Sequence, residues 1–154
     1  MPLYSFDTSA ILNGRRDQLP PSVFSTLWQR IEMLIAEGTI RAVEVVRDEL
    51  GKRDDEANTW ARSQGDLFLP LDQDIQVSTR KILQAHPKMM GTGGGRNGAD
   101  PFVIGLALAR TGVVVTDETF SGNLNKPRIP DVCKAVSVPC TNLVGFVQAQ
   151  GWKF

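Results

Sequence analysis

The chain has 154 residues, a length that fits one domain of ordinary size. Hydrophobic residues make up 42% and charged residues 22%, so the sequence can bury a core and keep a charged surface. Lysine plus arginine and aspartate plus glutamate both number 17. This balance argues against a polybasic nucleic-acid binder, although it does not exclude a local basic groove.

The cysteine and histidine content narrows the chemistry further. Cys133 and Cys140 do not form a CxxC pair, so we expect reduced thiols, although a bridge between them is possible. His86 is the single histidine, which is too few for an ordinary zinc site, and no GxSxG motif supports a serine hydrolase. We see no signal peptide and no apolar run long enough to span a bilayer, and we therefore expect a soluble, cytoplasmic protein.

The apolar pattern predicts strands that alternate with helices along the whole chain. In chain order, the predicted elements are a strand at 3–6, a short helix at 10–12, a helix from Pro20-Pro21 to Gly38, a strand at 40–43, helices at 44–52 and 54–64, an extended link at 67–71, a helix that begins at Asp72, a buried helix at 101–110, a strand at 113–115, a short helix at 131–136, and a last helix that Asn142 caps. This alternation favours an α/β fold, with a parallel sheet covered on both faces.

One segment, 88–98, interrupts this pattern with five glycines. A phosphate-binding loop would need a Gly-Lys-Ser/Thr ending or a preceding strand, and the segment has neither. We expect a mobile loop within the domain, either a substrate-entry lid or plain disorder.

Acidic residues stand where a parallel sheet places its ligand sites. Asp7 follows the first predicted strand, Asp117 follows the strand at 113–115, and Asp100 is predicted to cap a helix that opens with Pro101. Ligands of open parallel sheets bind beyond the carboxyl ends of the strands, so we expect these acids to meet. Glu49 is a fourth candidate, because it lies near the apolar face of its predicted helix.

Each of these acids alone could be an ordinary turn, cap or surface residue, and their joint placement is what favours a site. Carboxylates brought together repel one another, and a hard divalent cation is the usual compensation. Mg²⁺ and Mn²⁺ prefer oxygen ligands, so carboxylates without histidines or thiolates suit phosphoryl chemistry.

The segments around these acids resemble the PIN-domain nucleases. The matching segments are 4–12 around Asp7, 46–50 around Glu49, 98–107 around Asp100 and 114–117 ending at Asp117, and residues 129–133 resemble a PIN-like branch. The motifs are short, but they occur in the family's order over nearly the whole chain. The resemblance implies a three-layer α/β/α PIN-like fold with a central, mainly parallel sheet, as one nuclease domain over 1–154.

The resemblance also implies a site. The catalytic and metal-binding residues would be Asp7, Glu49, Asp100 and Asp117, with Ser9, Thr116 and Glu118 in support and Arg15, Arg16, Lys88 and Arg96 as candidate phosphate contacts. The metal would be Mg²⁺ or Mn²⁺, and the products would carry a 5′-phosphate and a 3′-hydroxyl. The family's last motif ends in Asp-x-x-Phe, and the corresponding residues here are Asp117-Glu118-Thr119-Phe120. Because a second acid directly follows Asp117, Glu118 could take or share its role.

Family members of this size are commonly VapC-type toxins, which implies an RNA substrate, an antitoxin as a partner and no membrane. A homodimer through the apolar stripe at 23–35 is implied by resemblance as well. One alternative is an inactive PIN-like scaffold that binds RNA or protein. Another is a HAD-like phosphatase, which would need a second acid two residues after Asp7, where Ser9 stands.

Overall fold

A computed structural model describes residues 2–53, 55–90 and 98–154. Its strands are β1 (Tyr4–Phe6), β2 (Ile40–Val43), β3 (Phe68–Leu69), β4 (Val113–Val115) and β5 (Cys140–Thr141). Its helices are α1 (Thr8–Asn13), α2 (Ser25–Glu37), α3 (Glu44–Gly51), α4 (Glu56–Ser63), α5 (Gln73–Ala85), α6 (Asp100–Arg110), α7 (Ile129–Ala135) and α8 (Leu143–Ala149), with a π-helical turn at Gly14–Gln18 and a 3-10 turn at Pro87–Met90.

The five strands of these described ranges form one sheet in the order β3-β2-β1-β4-β5. Every pairing is parallel. Helices cover the sheet, so the predicted three-layer α/β/α fold is confirmed. None of the helices that the structure describes is long and apolar enough to cross a membrane.

The central strand, β1, is where the order of the strands reverses. The chain first adds β2 and β3 on one side of β1, and then adds β4 and β5 on the other. Tyr4 pairs with Ile40 on one side, and Phe6 pairs with Val115 on the other. The carboxyl ends of β1 and β4 therefore form the topological switch point, the position at which open parallel sheets bind ligands.

Aromatic side chains from α8 anchor one face of β1. The ring of Phe146 lies edge-on to Tyr4 and Phe6, with centroid separations of 4.8 and 5.3 Å. Such edge-to-face pairs add to the free energy gained from burying the rings. Because Phe6 immediately precedes Asp7, this packing holds the end of β1 in place.

The predicted cap at Asn142 is confirmed, and Asp72, which was predicted to begin a helix, is the cap of α5. The carboxylate of Asp72 accepts a hydrogen bond from the backbone N–H of Ile75 at 2.9 Å, and the side-chain oxygen of Asn142 accepts one from Gly145 at 2.8 Å. A third prediction was wrong: Asp100 is the first residue of α6, and Ala99 occupies the cap position. The carboxylate of Asp100 is thereby free to point away from the helix backbone.

The start of α2 was also predicted wrongly. The helix begins at Ser25, because the residues after Pro20 form a turn in which the N–H groups of Val23 and Phe24 both donate to the Pro20 carbonyl. Val23 is consequently 71% exposed. The rest of the predicted apolar stripe lies in the core, with Leu27, Trp28, Ile31 and Ile35 all buried.

Other differences concern short elements. The strand β5 was not predicted, since two residues are too few to show a pattern, and α7 begins at Ile129 instead of Asp131. The predicted mobile loop at 88–98 lies largely outside the described residues, which omit 91–97.

The close packing of α6 against α5 yields a prediction. A Cβ atom at Gly105 would lie 2.0 Å from Oγ1 and 3.2 Å from Cα of the buried Thr79. We expect Gly105→Ala to destabilise the protein by about 1–3 kcal/mol through overpacking, measured by urea denaturation. Gly51→Ala is the matched control, because no atom lies within 4 Å of its Cβ position. Equal stability of the two variants would contradict this view of the helix contact.

Candidate metal centre

Asp7 is buried at the carboxyl end of the central strand. Its backbone N–H donates to the carbonyl of Val115 at 2.9 Å, which extends the pairing of β1 with β4 by one residue. Its side chain is not used as a helix cap. Instead, Oδ2 accepts hydrogen bonds from Oγ of Ser9 at 2.6 Å and from Oγ1 of Thr116 at 2.9 Å.

The same two hydroxyls hold the segment that follows β4. Oγ of Ser9 accepts a hydrogen bond from the backbone N–H of Asp117 at 2.9 Å, and Oγ1 of Thr116 accepts one from Glu118 at 3.1 Å. The two oxygens are 3.2 Å apart. Ser9 and Thr116, which the sequence suggested as supporting residues, therefore fix the position of Asp7 relative to the chain after β4.

Three carboxylates converge at this point. Asp7, Asp100 and Glu118 each present an oxygen, and these oxygens all lie within 4.8 Å of one another. Asp7 is 2% exposed and Asp100 is 6% exposed, so most of this charge is shielded from water. Glu118 is also held from its other side, because Oε1 accepts a hydrogen bond from the backbone N–H of Ile129 at 3.2 Å.

Glu49 lies beside this cluster and does not belong to the group of three. Its Oε2 accepts a hydrogen bond from the hydroxyl of Thr8 at 2.5 Å, and its Oε1 accepts one from the backbone N–H of Ala99 at 3.0 Å. The side chain thus joins α3 to the beginnings of α1 and α6. Its negative charge contributes to raising the pKa values of both Asp7 and Asp100.

Asp117, which was expected to bind the metal, does not lie in this cluster. Its carboxylate accepts hydrogen bonds from the side-chain amides of Asn13 and Gln18, both at 2.7 Å. Of the two adjacent acids, Glu118 is the one whose carboxylate lies near those of Asp7 and Asp100.

Burial and mutual repulsion raise the pKa of every acid in the cluster. Burial is the main cause at Asp7, where hydrogen bonds from Ser9 and Thr116 oppose it. Burial and the charges of Glu118, Asp7 and Glu49 raise the pKa of Asp100 to about 9. Burial and the charge of Asp7 raise the pKa of Glu118 to about 7. Within 2–53, 55–90 and 98–154, no lysine or arginine forms an ion pair with these three acids.

This arrangement is chemically suited to a divalent cation. All three groups offer oxygen, the ligand atom that Mg²⁺ and Mn²⁺ prefer, and none offers the nitrogen or sulfur that zinc sites favour. A bound cation would favour the charged form of each carboxylate and so relieve the repulsion that raises the pKa values. The cluster can therefore hold a divalent metal ion.

The candidate phosphate contacts are distributed differently from the expectation. Arg15 does not lie free at the edge of the site. Its guanidinium lies 4.6 Å from the ring centroids of both Trp28 and Trp60. Its Nε donates to both carboxylate oxygens of Glu56 at 2.9 Å, and this pair is partly buried, with Arg15 on the buried side.

The other three basic candidates are separate from that contact. Arg16 is exposed and pairs with Asp17 at 2.9 Å. Lys88 is exposed and donates to Oδ1 of Asn125 at 3.1 Å. Arg96 lies outside the described residues.

Asp131 has a role that the sequence did not indicate. Its carboxylate accepts hydrogen bonds from the backbone N–H groups of Ser121, Gly122 and Arg128, each at 2.8 Å, and from the Ser121 hydroxyl at 2.6 Å. Burial alone would raise the pKa of Asp131, but these hydrogen bonds lower it to about 2. The carboxylate therefore organises the loop between Glu118 and α7. The only sequence signal was an acid in the first turn of a predicted helix.

The raised pKa values predict how stability without metal depends on pH. An acid whose pKa is higher in the folded state stabilises the fold below its unfolded pKa, and this stability is lost as the pH rises through the folded pKa. For Asp100 and Glu118 the loss begins near the ordinary carboxyl pKa values of 3.8 and 4.5 and extends to pKa values of about 9 and about 7. Asp100→Asn removes one ionising group, so it should be more stable than wild type at about pH 8, on the order of 2 kcal/mol.

Urea denaturation in the presence of a chelator measures this difference across the pH range. Asp66→Asn is the control, because Asp66 is an exposed acid, and its stability should follow that of the wild type. A wild-type protein whose stability does not fall between acid and neutral pH would contradict the repulsion described here.

Comparisons with known proteins are consistent with this architecture. A family model described as a domain of unknown function, DUF4411, matches residues 4–154. No curated protein matches the chain in sequence.

Solved structures similar to the chain include the DNA-bound VapBC of Salmonella typhimurium, with 17% identity, 92% of this chain and 98% of that chain covered, and a TM-score of 0.55. They also include VapBC2 of Rickettsia felis bound to a DNA fragment from their promoter, with 17% identity, 91% of this chain and 98% of that chain covered, and a TM-score of 0.47. The first of these supports the expected fold. The chain belongs to the DUF4411 family and has a three-layer α/β/α, PIN-like fold.

Proposed function

We propose that this protein is a Mg²⁺- or Mn²⁺-dependent endoribonuclease that hydrolyses phosphodiester bonds in RNA. The observation that carries the proposal is the convergence of the Asp7, Asp100 and Glu118 carboxylates at the switch point of the sheet. Two buried acids and a partly buried third, without a paired cation among the described residues, are destabilising in the absence of a ligand. A divalent ion at this position would offset that cost and would supply the chemistry that phosphodiester hydrolysis requires.

In this proposal, Asp7, Asp100 and Glu118 would hold the metal ion. When bound there, the ion would supply an acidified water molecule and polarisation of a phosphoryl oxygen. The hydroxyls of Ser9 and Thr116 keep the Asp7 carboxylate turned towards the site through their hydrogen bonds to Oδ2. Such supporting contacts orient ligands and tune the affinity of metal sites.

Glu49 has a positioning role in the proposed mechanism. It fixes the start of α6 through the backbone N–H of Ala99, directly before Asp100. It also adds negative charge beside the three ligands, and this increases the attraction for a cation. Asp117 supports the site indirectly, because its bonds to Asn13 and Gln18 hold the segment that carries Glu118.

The proposal extends to a biological role as the toxin of a toxin–antitoxin pair. Its support is the similarity in fold to a chain of VapBC and the order of the PIN-like motifs. The expected partner is a separate antitoxin chain that blocks the site. A second copy of the chain is a further proposed partner, and the exposed Val23 before α2 and Met33 on α2 are candidates for that contact.

A phosphatase of the HAD type fits the site less well. That reaction needs an acid two residues after Asp7, and the residue there is Ser9, whose hydroxyl is bonded to Asp7. An inactive scaffold would keep the fold without needing to bind a metal. Metal binding is therefore the measurement that separates the nuclease from the scaffold.

Two adjacent acids provide a matched pair of variants. We expect Glu118→Gln to reduce Mg²⁺-dependent cleavage of single-stranded RNA by about 100-fold or more, as the loss of a ligand costs several kcal/mol of transition-state stabilisation. Asp117→Asn should have a much smaller effect, because its carboxylate bonds to Asn13 and Gln18. Cleavage rates at saturating Mg²⁺ measure the difference.

Calorimetric titration with Mn²⁺ provides the control, with Asp7→Asn included as a variant that should bind the ion far more weakly. Retention of wild-type cleavage by both Asp7→Asn and Glu118→Gln would reject the proposed function. Absence of Mn²⁺ binding by the wild-type protein would favour the inactive scaffold.

A further inference from the structure

A cavity of about 380 Å³ is lined in part by Thr116 and Glu118. Glu118 is one of the three clustered carboxylates and Thr116 donates a hydrogen bond to Asp7, so the cavity adjoins the metal centre. Cavities that hold small ligands measure about 300–1,000 Å³, so this one is large enough for a single nucleotide group. None of the roles described above uses it.

The lining of the cavity includes an exposed aromatic ring, Phe120, beside a cation, Lys134. Phe120 lies two residues after Glu118 and is 55% exposed, although a side chain of this size is usually buried. The ammonium of Lys134 lies 4.9 Å from the centroid of its ring. Base stacking on aromatic rings and charge contact with phosphates are the two general means by which proteins hold single-stranded nucleic acid.

The lining also includes polar groups that can form hydrogen bonds with the edge of a base, Thr141 and Asn142. The side-chain oxygen of Asn142 is used in capping α8, where it accepts a hydrogen bond from Gly145. Among the hydrogen bonds of the described residues, the amide nitrogen of Asn142 has no acceptor, so a residue that lines the cavity keeps a donor for a ligand.

The loop that carries Phe120 is held in place rather than left free. Asp131 accepts hydrogen bonds from the two residues that follow Phe120, Ser121 and Gly122. The ring therefore lies on an ordered segment. Binding of a ligand then does not have to supply the free energy of ordering this loop.

We propose that this cavity binds the nucleobase of the nucleotide next to the phosphodiester that the metal centre cleaves. The base stacks on Phe120, the ammonium of Lys134 contacts the adjoining phosphate, and Asn142 donates a hydrogen bond to the base edge. The assignment rests on the proposed function, which supplies the reaction, and adds the position at which the substrate is held.

Binding of a ribonucleotide can be measured without cleavage. The four ribonucleoside 5′-monophosphates are titrated one at a time into the full chain with Mg²⁺ present, and the backbone amide resonances are followed by NMR. We expect saturable shifts at Phe120 and Thr141 for at least one nucleotide. Phe120→Ala should weaken that affinity about ten-fold or more, because stacking on an aromatic ring contributes strongly per base. Lys134→Met should weaken it as well, through loss of the phosphate contact.

The chain offers a matched control for both variants. Phe154 is also an exposed phenylalanine, at 61%, and the guanidinium of Arg30 lies 4.9 Å from its ring centroid. Phe154→Ala and Lys153→Met should leave nucleotide affinity unchanged. No saturable shift in the wild-type protein, or equal affinities for wild type and Phe120→Ala, would overturn the assignment.

RNA cleavage separates this inference from the proposed function. In an active enzyme, Phe120→Ala and Lys134→Met should raise KM for single-stranded RNA more than they lower kcat, since they remove binding of the ground state. Unchanged KM values in both variants would overturn the nucleotide subsite while leaving the nuclease intact. Nucleotide binding that depends on Phe120 in a protein that cleaves no RNA would uphold the subsite and reject the nuclease.

Discussion

Mutual repulsion among three carboxylates at the carboxyl ends of β1 and β4 is the constraint on which the rest of this structure depends. Asp7, Asp100 and Glu118 come from three separate elements, and each must be held against the charge of the other two. Their pKa values are raised because burial removes the water that would otherwise screen them. A fold that keeps such a cluster gives up stability at neutral pH, and this is typical of a site maintained for binding.

The surrounding contacts show how that position is maintained. Two hydroxyls, those of Ser9 and Thr116, connect Asp7 to the backbone that carries Glu118. Glu49 connects α3 to the residue before Asp100. Asp131 supports Glu118 in a similar way, because its hydrogen bonds order the loop that leads from Glu118 to α7. Each ligand candidate is thus held by a neighbour that is itself fixed by hydrogen bonds, and this is how rigid binding sites are generally supported.

Sequence reasoning was accurate where a physical pattern spans several residues. The strands at β1, β2 and β4 show as apolar runs, and the rule that ligand sites follow parallel strands located Asp7 and the chain after β4. Three features could not be predicted, for different reasons. The choice between Asp117 and Glu118 depends on which way one side chain points after a strand has ended, where no periodicity applies. Arg15 was a candidate phosphate contact, and only the tertiary positions of Trp28 and Trp60 reveal that it lies against two rings. Asp131 was missed because its four bonds are made to a loop without a regular pattern.

The central position of β1 has a consequence for how the site forms during synthesis. Asp7 is synthesised before its hydrogen-bond partner Thr116, which lies 109 positions later in the chain. Contacts of such long sequence separation form late, because the intervening chain must first be brought together. A fragment that contains only β1, β2 and β3 carries Asp7 and Glu49 without Asp100 and Glu118, and it therefore lacks the metal centre. The order of the strands keeps the nascent chain free of the assembled acidic cluster until Glu118 has been made.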